Sequence, residues 1–349
     1  MTIFAPHQFY EIMIGNQPKV TVILPFFNSG EELDMAIQSI VDQTYTNWTL
    51  ILVSNNGDET GLDIANRWRA DDERIVQIEE TQQGISFALN TGLRHTNSEY
   101  IARMDADDLS HPERLAQQVA FLDNNPDIDV VSTQTTFDTQ ISGSTGYSLF
   151  VDWQNSIITP DEHALSRFIE SPLAHPTVMF RKSLTDKYGF YDTGRVPEDY
   201  ELWLRWLDED VKFHKLPSQL LTWTDHPSRL SRNHDNYCKE AFFTIKCHYL
   251  AKWIKHNVPS NKKIIVCGSS RTGRKRADLL KELGVNVFGF TDVKKRPNRQ
   301  VNFVPYQQIT DPEPWFLINF IGRRGVGEAI RQHFAKLGFK EGKDLILAA

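Results

Sequence analysis

Cysteine is scarce: Cys238, Cys247 and Cys267 are the three in 349 residues, far apart and without a Cys-x-x-Cys pair. Neither a disulfide framework nor a thiolate zinc cage follows from such a count, and a reducing compartment is the expectation. A basic surplus is missing too. The 38 Lys and Arg stand against 45 Asp and Glu, a formal charge of -7, which argues against a dedicated nucleic-acid binder, whose domain carries excess cations. No stretch reaches the roughly 18 apolar residues of a membrane-spanning helix. Pro6, His7 and Glu11 break up the first residues where a secretory leader needs an apolar run, so a cytoplasmic location is expected. Low-complexity tracts and internal repeats are absent. What is present is 40% hydrophobic residues, enough for two packed cores in a chain of this length at about 150 residues per domain.

From residue 19 onward, short β-branched runs alternate with amphipathic stretches. The pattern predicts strands over 20–24, 49–53, 75–78, 100–104 and 129–133, with helices over 31–43, 61–69 and 85–94 and one opening near Pro112. Leu33, Ala36, Ile37, Ile40 and Val41 recur at helical spacing, so one face of that helix docks on a sheet. This order predicts a doubly wound α/β sheet, where ligands sit beyond the carboxyl ends of the strands. Residues 142–160 read as irregular. A helix over 161–169, a strand over 177–181, a helix over 197–207, short strands over 212–216 and 219–224 and a long helix over 237–255 follow. Asn257-Val258-Pro259-Ser260-Asn261 has linker chemistry. The expected organisation is residues 1–256, a linker at 257–261, and a smaller α/β domain over 262–349.

Asp105, Asp107 and Asp108 crowd one strand end. On an extended chain, residues i and i+2 share a side, which points Asp105 and Asp107 the same way about 7 Å apart. That arrangement suits Mg²⁺ or Mn²⁺, hard cations that take carboxylates, water and substrate phosphates. The alternative is an acidic turn in which Asp108 caps the next helix. Asp199 poses the same choice. It stands in the first turn of the 197–207 helix, where a carboxylate suits the helix dipole. It also shares a face with Leu202, Trp203 and Trp206, where partial desolvation suits a proton-accepting role.

Five segments acquire meaning together: Val22-Ile23-Leu24-Pro25-Phe26-Phe27-Asn28; Gln38-Ser39-Ile40 with Gln43-Thr44; Ile101-Ala102-Arg103-Met104-Asp105-Ala106-Asp107-Asp108; His175-Pro176-Thr177-Val178-Met179-Phe180-Arg181; and Glu198-Asp199-Tyr200-Glu201-Leu202-Trp203. In order and spacing they resemble the family 2 glycosyltransferases of GT-A fold, over roughly residues 18–232. The resemblance implies a mixed, mostly parallel sheet with flanking helices and an inverting transferase using a nucleotide-diphosphate sugar. It implies that Pro25 and Phe27 line the nucleobase pocket, that Asp105 faces the ribose, and that Asp107 binds Mn²⁺ or Mg²⁺ at the diphosphate. Asp199 is the implied base. His226 resembles a late histidine that reaches the metal or diphosphate, and Asn55, Asp58, His175, Glu198 and Trp203 complete the implied nucleotide-sugar set. The acceptor is expected to be a glycan, lipid-linked or protein hydroxyl, in cell-surface polysaccharide synthesis.

Two positions depart from that pattern. Asn55 stands where relatives carry a carboxylate that accepts a base N–H; an amide both donates and accepts, so the nucleotide is left open. Thr224 stands where relatives often have arginine. In the smaller domain, Gly268-Ser269-Ser270-Arg271-Thr272-Gly273 resembles a Rossmann dinucleotide turn, with Asp292 ending the next strand. Ser270 replaces the middle glycine and obstructs the close approach that pyrophosphate needs, which favours an assembly, anchoring or partner-contact role for this domain; a homo-oligomer is left open. Basic residues at 271, 274–276, 294–296 and 299, with Phe242, Phe243, Tyr249 and Trp253 beside Lys246, Lys252 and Lys255, leave contact with an anionic membrane surface open. The rival functional readings are a nucleotide-dependent oxidoreductase run from this domain and a non-catalytic nucleotide-sugar-binding module.

Overall fold

The computed structural model describes residues 18–139, 141, 145–227, 229, 232, 234–293 and 302–349. Residues 1–17 and the basic run Lys294, Lys295, Arg296 and Arg299 lie outside the described residues. Packing divides the chain into two compact units. One takes the residues up to Val151 together with Leu173–Tyr191 and Lys215–Asp225; the other takes Asp152–Pro172, Asp192–His214 and His226–Ala349.

The first unit begins with β1 (Val20–Phe26), α1 (Glu31–Val41), β2 (Trp48–Ser54), α2 (Glu59–Asp71), β3 (Ile75–Glu79), α3 (Ile85–Arg94) and β4 (Tyr100–Arg103). Next come β5 (Leu109–Ser110), α4 (Arg114–Asn124), β6 (Val130–Thr139) and α5 (Thr145–Asn155). After α6 (Pro160–Ser166), the chain adds β7 (Met179–Arg181) and α7 (Ser183–Tyr188). α8 (Glu198–Asp208) precedes β8 (Phe213–Asp225). The eight strands form one sheet in the order β3-β2-β1-β4-β7-β6-β8-β5. β1 pairs in parallel with β2 and β4, while β7 runs antiparallel to β4 and β6. All seven residues of β2 are buried, as expected of a central parallel strand covered on both faces. α1 buries Leu33, Ala36, Ile37 and Ile40, the face its spacing predicts. α3 approaches β1 closely through Gly92, where an added Cβ would lie 2.6 Å from Ile23 Cγ2.

Two expectations need correction. The stretch read as irregular holds α5, because Tyr147, Val151 and Gln154 supply an inward face at helical spacing despite the Ser-Gly-rich approach. The two short strands read around Pro217 are one strand, β8, of 13 residues. Proline disturbs a strand only by lacking a donor, and its fixed φ is compatible with extended backbone.

The second unit contains α9 (Lys239–Asn257), β9 (Lys263–Cys267), α10 (Arg271–Glu282), β10 (Val287–Thr291), β11 (Trp315–Asn319), α11 (Val326–Ala335) and β12 (Leu345–Leu347). Its four strands are parallel in the order β10-β9-β11-β12. One apolar cluster joins Phe168, Tyr200 and Leu204 to Leu250 and Ile254 of α9 and to Val266, Phe316 and Ile318 of this sheet. Of the α9 residues that left a membrane-facing surface open, Lys246, Tyr249 and Trp253 are buried, Phe242 and Phe243 are half-buried, and Lys252 and Lys255 are exposed; Lys246 Nζ donates to the Ile169 carbonyl at 2.7 Å. Cys247 and Cys267 are buried and Cys238 is exposed. Burial pushes the two buried thiols up to about 11 and about 12. Among the described residues, no helix is long and apolar enough to cross a membrane.

Candidate functional site

The carboxyl ends of β1, β2 and β4 supply the first unit's candidate site, the edge where doubly wound sheets take ligands. Pro25 is half-buried near the end of β1, and the Phe27 ring just beyond is 45% exposed. Asn28 turns the chain with φ +48°. Its Oδ1 accepts the N–H of Asp58 at 3.0 Å, which joins the turn after β1 to the turn after β2. Asp58 is exposed and caps α2 by accepting the Gly61 N–H at 3.1 Å.

Asn55 is buried and fully engaged with its neighbours. Its amide donates to the carbonyls of Glu80 at 3.2 Å and Gln82 at 2.8 Å, and its oxygen accepts the Gly84 N–H at 2.7 Å. Two carbonyls on one side and one N–H on the other fix which end is nitrogen. Asn55 therefore pins the turn between β3 and α3, a task a carboxylate cannot perform because it has no hydrogens to give.

The acidic loop after β4 is a turn rather than the extended run expected from sequence, and this is why Asp108 joins the pair. Ligand oxygens of Asp105, Asp107 and Asp108 lie within 4.8 Å of one another. At that separation, like charges repel by roughly 3 to 4 kcal/mol per pair at an effective dielectric of about 20, so something must oppose them. Arg103, buried at the end of β4, forms an ion pair with Asp105. Asp108 is fully buried and accepts the Thr224 N–H of β8 at 2.9 Å. Position 224 thus engages the acidic loop through its backbone N–H.

His175 is buried, and its Nε2 lies 2.8 Å from the Tyr191 hydroxyl. Burial, aided by the Arg103 charge, holds this imidazole well below the usual histidine range, so it is neutral at physiological pH. Asn90 fixes Tyr191 in turn, donating to its carbonyl and accepting its N–H, both at 2.9 Å.

In the second unit, α8 carries Glu198, Asp199 and Glu201 in its first turn. Glu198 is buried and accepts the Tyr237 hydroxyl at 2.5 Å. Glu201 is held by Arg205 at 2.9 Å and by the Tyr249 hydroxyl at 2.7 Å. Asp199 is half-buried, and its Oδ1 accepts the adjacent Tyr200 N–H at 2.7 Å. Trp203, placed in the nucleotide-sugar set by resemblance, has no exposed surface. It packs against Trp206 and Phe213 with ring centroids 5.5 and 5.8 Å away, so it supports α8 from the core. His226 is half-buried and directly follows β8.

The comparisons agree with this architecture. The chain matches the model of glycosyl transferase family 2 over residues 21–189. The putative glycosyltransferase EpsE of Bacillus subtilis is 33% identical over 213 residues, covering 59% of this chain and 73% of that protein. The chain belongs to glycosyl transferase family 2. The O-antigen biosynthesis glycosyltransferase WbnJ of Escherichia coli is 28% identical over 233 residues, 65% of this chain and 87% of WbnJ. Among solved structures, S. aureus TarS 1-349 in complex with UDP-GlcNAc superposes with a TM-score of 0.55 at 15% identity, covering 76% of this chain and 71% of that one. The mannosyltransferase PcManGT from Pyrobaculum calidifontis, in complex with GDP-Man and Mn2+, gives 0.50 at 18% identity, over 69% and 64%. These likenesses fix the GT-A fold, and the chain is a glycosyltransferase.

For this family 2 enzyme, sequence reasoning missed the cations under the acids, Arg103 and Arg114, and gave no role to Ser39 and Gln43. The available signal was an arginine inside the apolar pattern of α4, next to Leu115. In the smaller sheet, Ser270 occupies the middle-glycine position and caps α10 by accepting the Gly273 N–H at 3.2 Å. The dinucleotide reading of that turn finds no support there.

Proposed function

We propose that this family 2 transferase moves a glycosyl group from a nucleotide-diphosphate sugar to an acceptor hydroxyl on a cell-surface polysaccharide precursor, with inversion. The observation that carries the reading is the convergence of Asp105, Asp107 and Asp108 beyond β4. Three hard oxygen donors so close together fit Mn²⁺ or Mg²⁺. Asp107 is assigned as the protein's main ligand, the role that its place in the Asp105-Ala106-Asp107-Asp108 segment carries in the family resemblance. When bound, the ion neutralises the developing charge of the nucleotide diphosphate.

Phe27 offers an exposed ring face to a nucleobase beside Pro25, and Asp105 addresses the ribose. Asp199 is the base. It stands half-buried in the first turn of α8, at the position the family resemblance gives to the base. It takes the proton from the acceptor hydroxyl, whose oxygen forms the bond to the anomeric carbon. The bonding electrons of the donor's C–O linkage depart with the nucleotide diphosphate, so one displacement inverts the centre. Uridine and guanosine donors are both supported by the GT-A neighbours, and a polysaccharide acceptor by WbnJ. Residues 262–349 serve assembly in this reading.

A thermal-shift panel of UDP, GDP and their sugars, with and without Mn²⁺, tests donor and metal together, because a ligand of the folded state raises its apparent stability. Asp199→Asn is expected to lower transfer by about 10²-fold or more, with donor-induced stabilisation unchanged. Retained turnover in a variant that melts like wild type would reassign Asp199 to helix capping.

A further inference from the structure

We propose that Arg114 is a positioning residue, the hub of a buried clamp that shapes the acidic loop for its divalent cation; the inference rests on the metal reading above. Arg114 opens α4 and has no solvent exposure. Its Nε donates to Ser110 Oγ at 2.7 Å, and its Nη1 donates to the carbonyls of Arg103 at 3.0 Å and Pro176 at 2.6 Å. Arg103 ends β4 and Ser110 ends β5, so one guanidinium grips both ends of the loop carrying Asp105, Asp107 and Asp108. The third contact ties that loop to the helical turn containing His175.

Ser110 is shared with α1. Gln43 Nε2 donates to Ser110 Oγ at 3.1 Å and to the His111 carbonyl at 2.8 Å, and Gln43 Oε1 accepts the Leu115 N–H at 2.9 Å. Ser39 Oγ accepts the Ser110 N–H at 3.1 Å. These bonds give Ser39 and Gln43 a task. Three mutually repelling carboxylates tend to splay, whereas a hard cation needs its ligands within tenths of an ångström of their places. The clamp holds the loop gathered before the ion arrives, and the Asp108 charge interacts favourably with Arg114 beneath it. A guanidinium serves acceptors in several directions through a rigid planar fork; an ammonium carries the charge without that geometry.

The test uses the full chain as wild type, Arg114→Lys, Ser110→Ala and Gln118→Met. Mn²⁺ is titrated in the presence of UDP and, separately, GDP, with free Mn²⁺ followed by electron paramagnetic resonance and thermal unfolding measured alongside. Arg114→Lys is expected to raise the half-saturating Mn²⁺ concentration by about tenfold or more, with turnover recovering at saturating metal, and Ser110→Ala by several-fold. Gln118 donates from the same helix to the Val131 and Thr177 carbonyls, so Gln118→Met should lower the melting temperature and leave half-saturation where it was. Ser110→Ala carries the test if Arg114→Lys does not fold. Wild-type-like Mn²⁺ binding in the clamp variants, or an equal shift in Gln118→Met, overturns the clamp alone. A wild type that takes up no Mn²⁺ with either nucleotide overturns the metal reading and the clamp with it.

Discussion

In both units a parallel strand ends in a tight turn at the edge where such sheets bind ligands, leading into β5 after β4 and into α10 after β9, yet the two turns treat their polar groups differently. After β4, three carboxylates converge and are opposed from beneath by Arg103 and Arg114. After β9, the turn closes on itself. Ser269 donates from its N–H and its hydroxyl to Asp292 at 3.0 and 2.9 Å, and Ser270 caps the helix. Gly273 packs so tightly that an added Cβ would lie 2.2 Å from the Gly268 carbonyl oxygen. A turn that spends its donors and acceptors internally is a structural joint. A turn that concentrates one sign of charge against buried counter-charge is built for something that arrives later.

Asp107→Asn tests the open turn hardest. Metal-dependent nucleotide binding by calorimetry should weaken by at least about 10- to 100-fold, the scale associated with disturbed ligation, and Asp108→Asn should weaken it far less. Equal binding in wild type and Asp107→Asn would remove the contrast between the two turns. Next in size is Asn55→Asp, which places a carboxylate against the Glu80 and Gln82 carbonyls. Loss of buried donors there should cost about 1 to 3 kcal/mol in denaturant unfolding; an unchanged midpoint would return Asn55 to base recognition.

His175→Gln probes the same edge through pH. The fold keeps the ring neutral, so the unfolded chain takes up the proton first as pH falls. The stability due to His175 is full above the ordinary value of 6.5 and drains below it. The difference in melting temperature between wild type and variant should therefore shrink from pH 7.5 towards pH 5, a trend that a differential scanning fluorimetry series checks. The smallest effect is expected from Ser270→Gly, since glycine replaces a serine cap at a cost of only a few tenths of a kcal/mol. Equilibrium dialysis should find no NAD binding in the variant or in wild type. Stoichiometric uptake would make the closed turn a second ligand site.

The fold was legible in sequence wherever burial left its mark on the pattern, as in α1 and in the wholly buried β2. It was less legible where a local breaker outweighed a long-range pattern, at Pro217 within β8 and at the approach to α5. Asp105, Asp107, Asp108 and Asp199 announced themselves because charge beside an apolar run is conspicuous. Arg114 did not, since its partners are backbone carbonyls of β4 and of the His175 turn, 11 and 62 residues away, and carbonyls leave no trace in a residue pattern. Trp203 entered the nucleotide-sugar set through resemblance alone, and its packing against Trp206 and Phe213 is a long-range fact that a motif does not record.

The cysteines hold a practical consequence. Cys247 and Cys267 are shielded and reluctant to ionise, while Cys238 is exposed and directly follows Tyr237, whose hydroxyl rests on Glu198 at the start of α8. A maleimide dye added to the native protein therefore has one favoured address, a single residue from the tyrosine that touches the neighbour of Asp199. Without any engineered substitution, that natural label makes the fluorescence of the wild-type enzyme a gauge of whether donor or acceptor disturbs the Tyr237 contact during turnover.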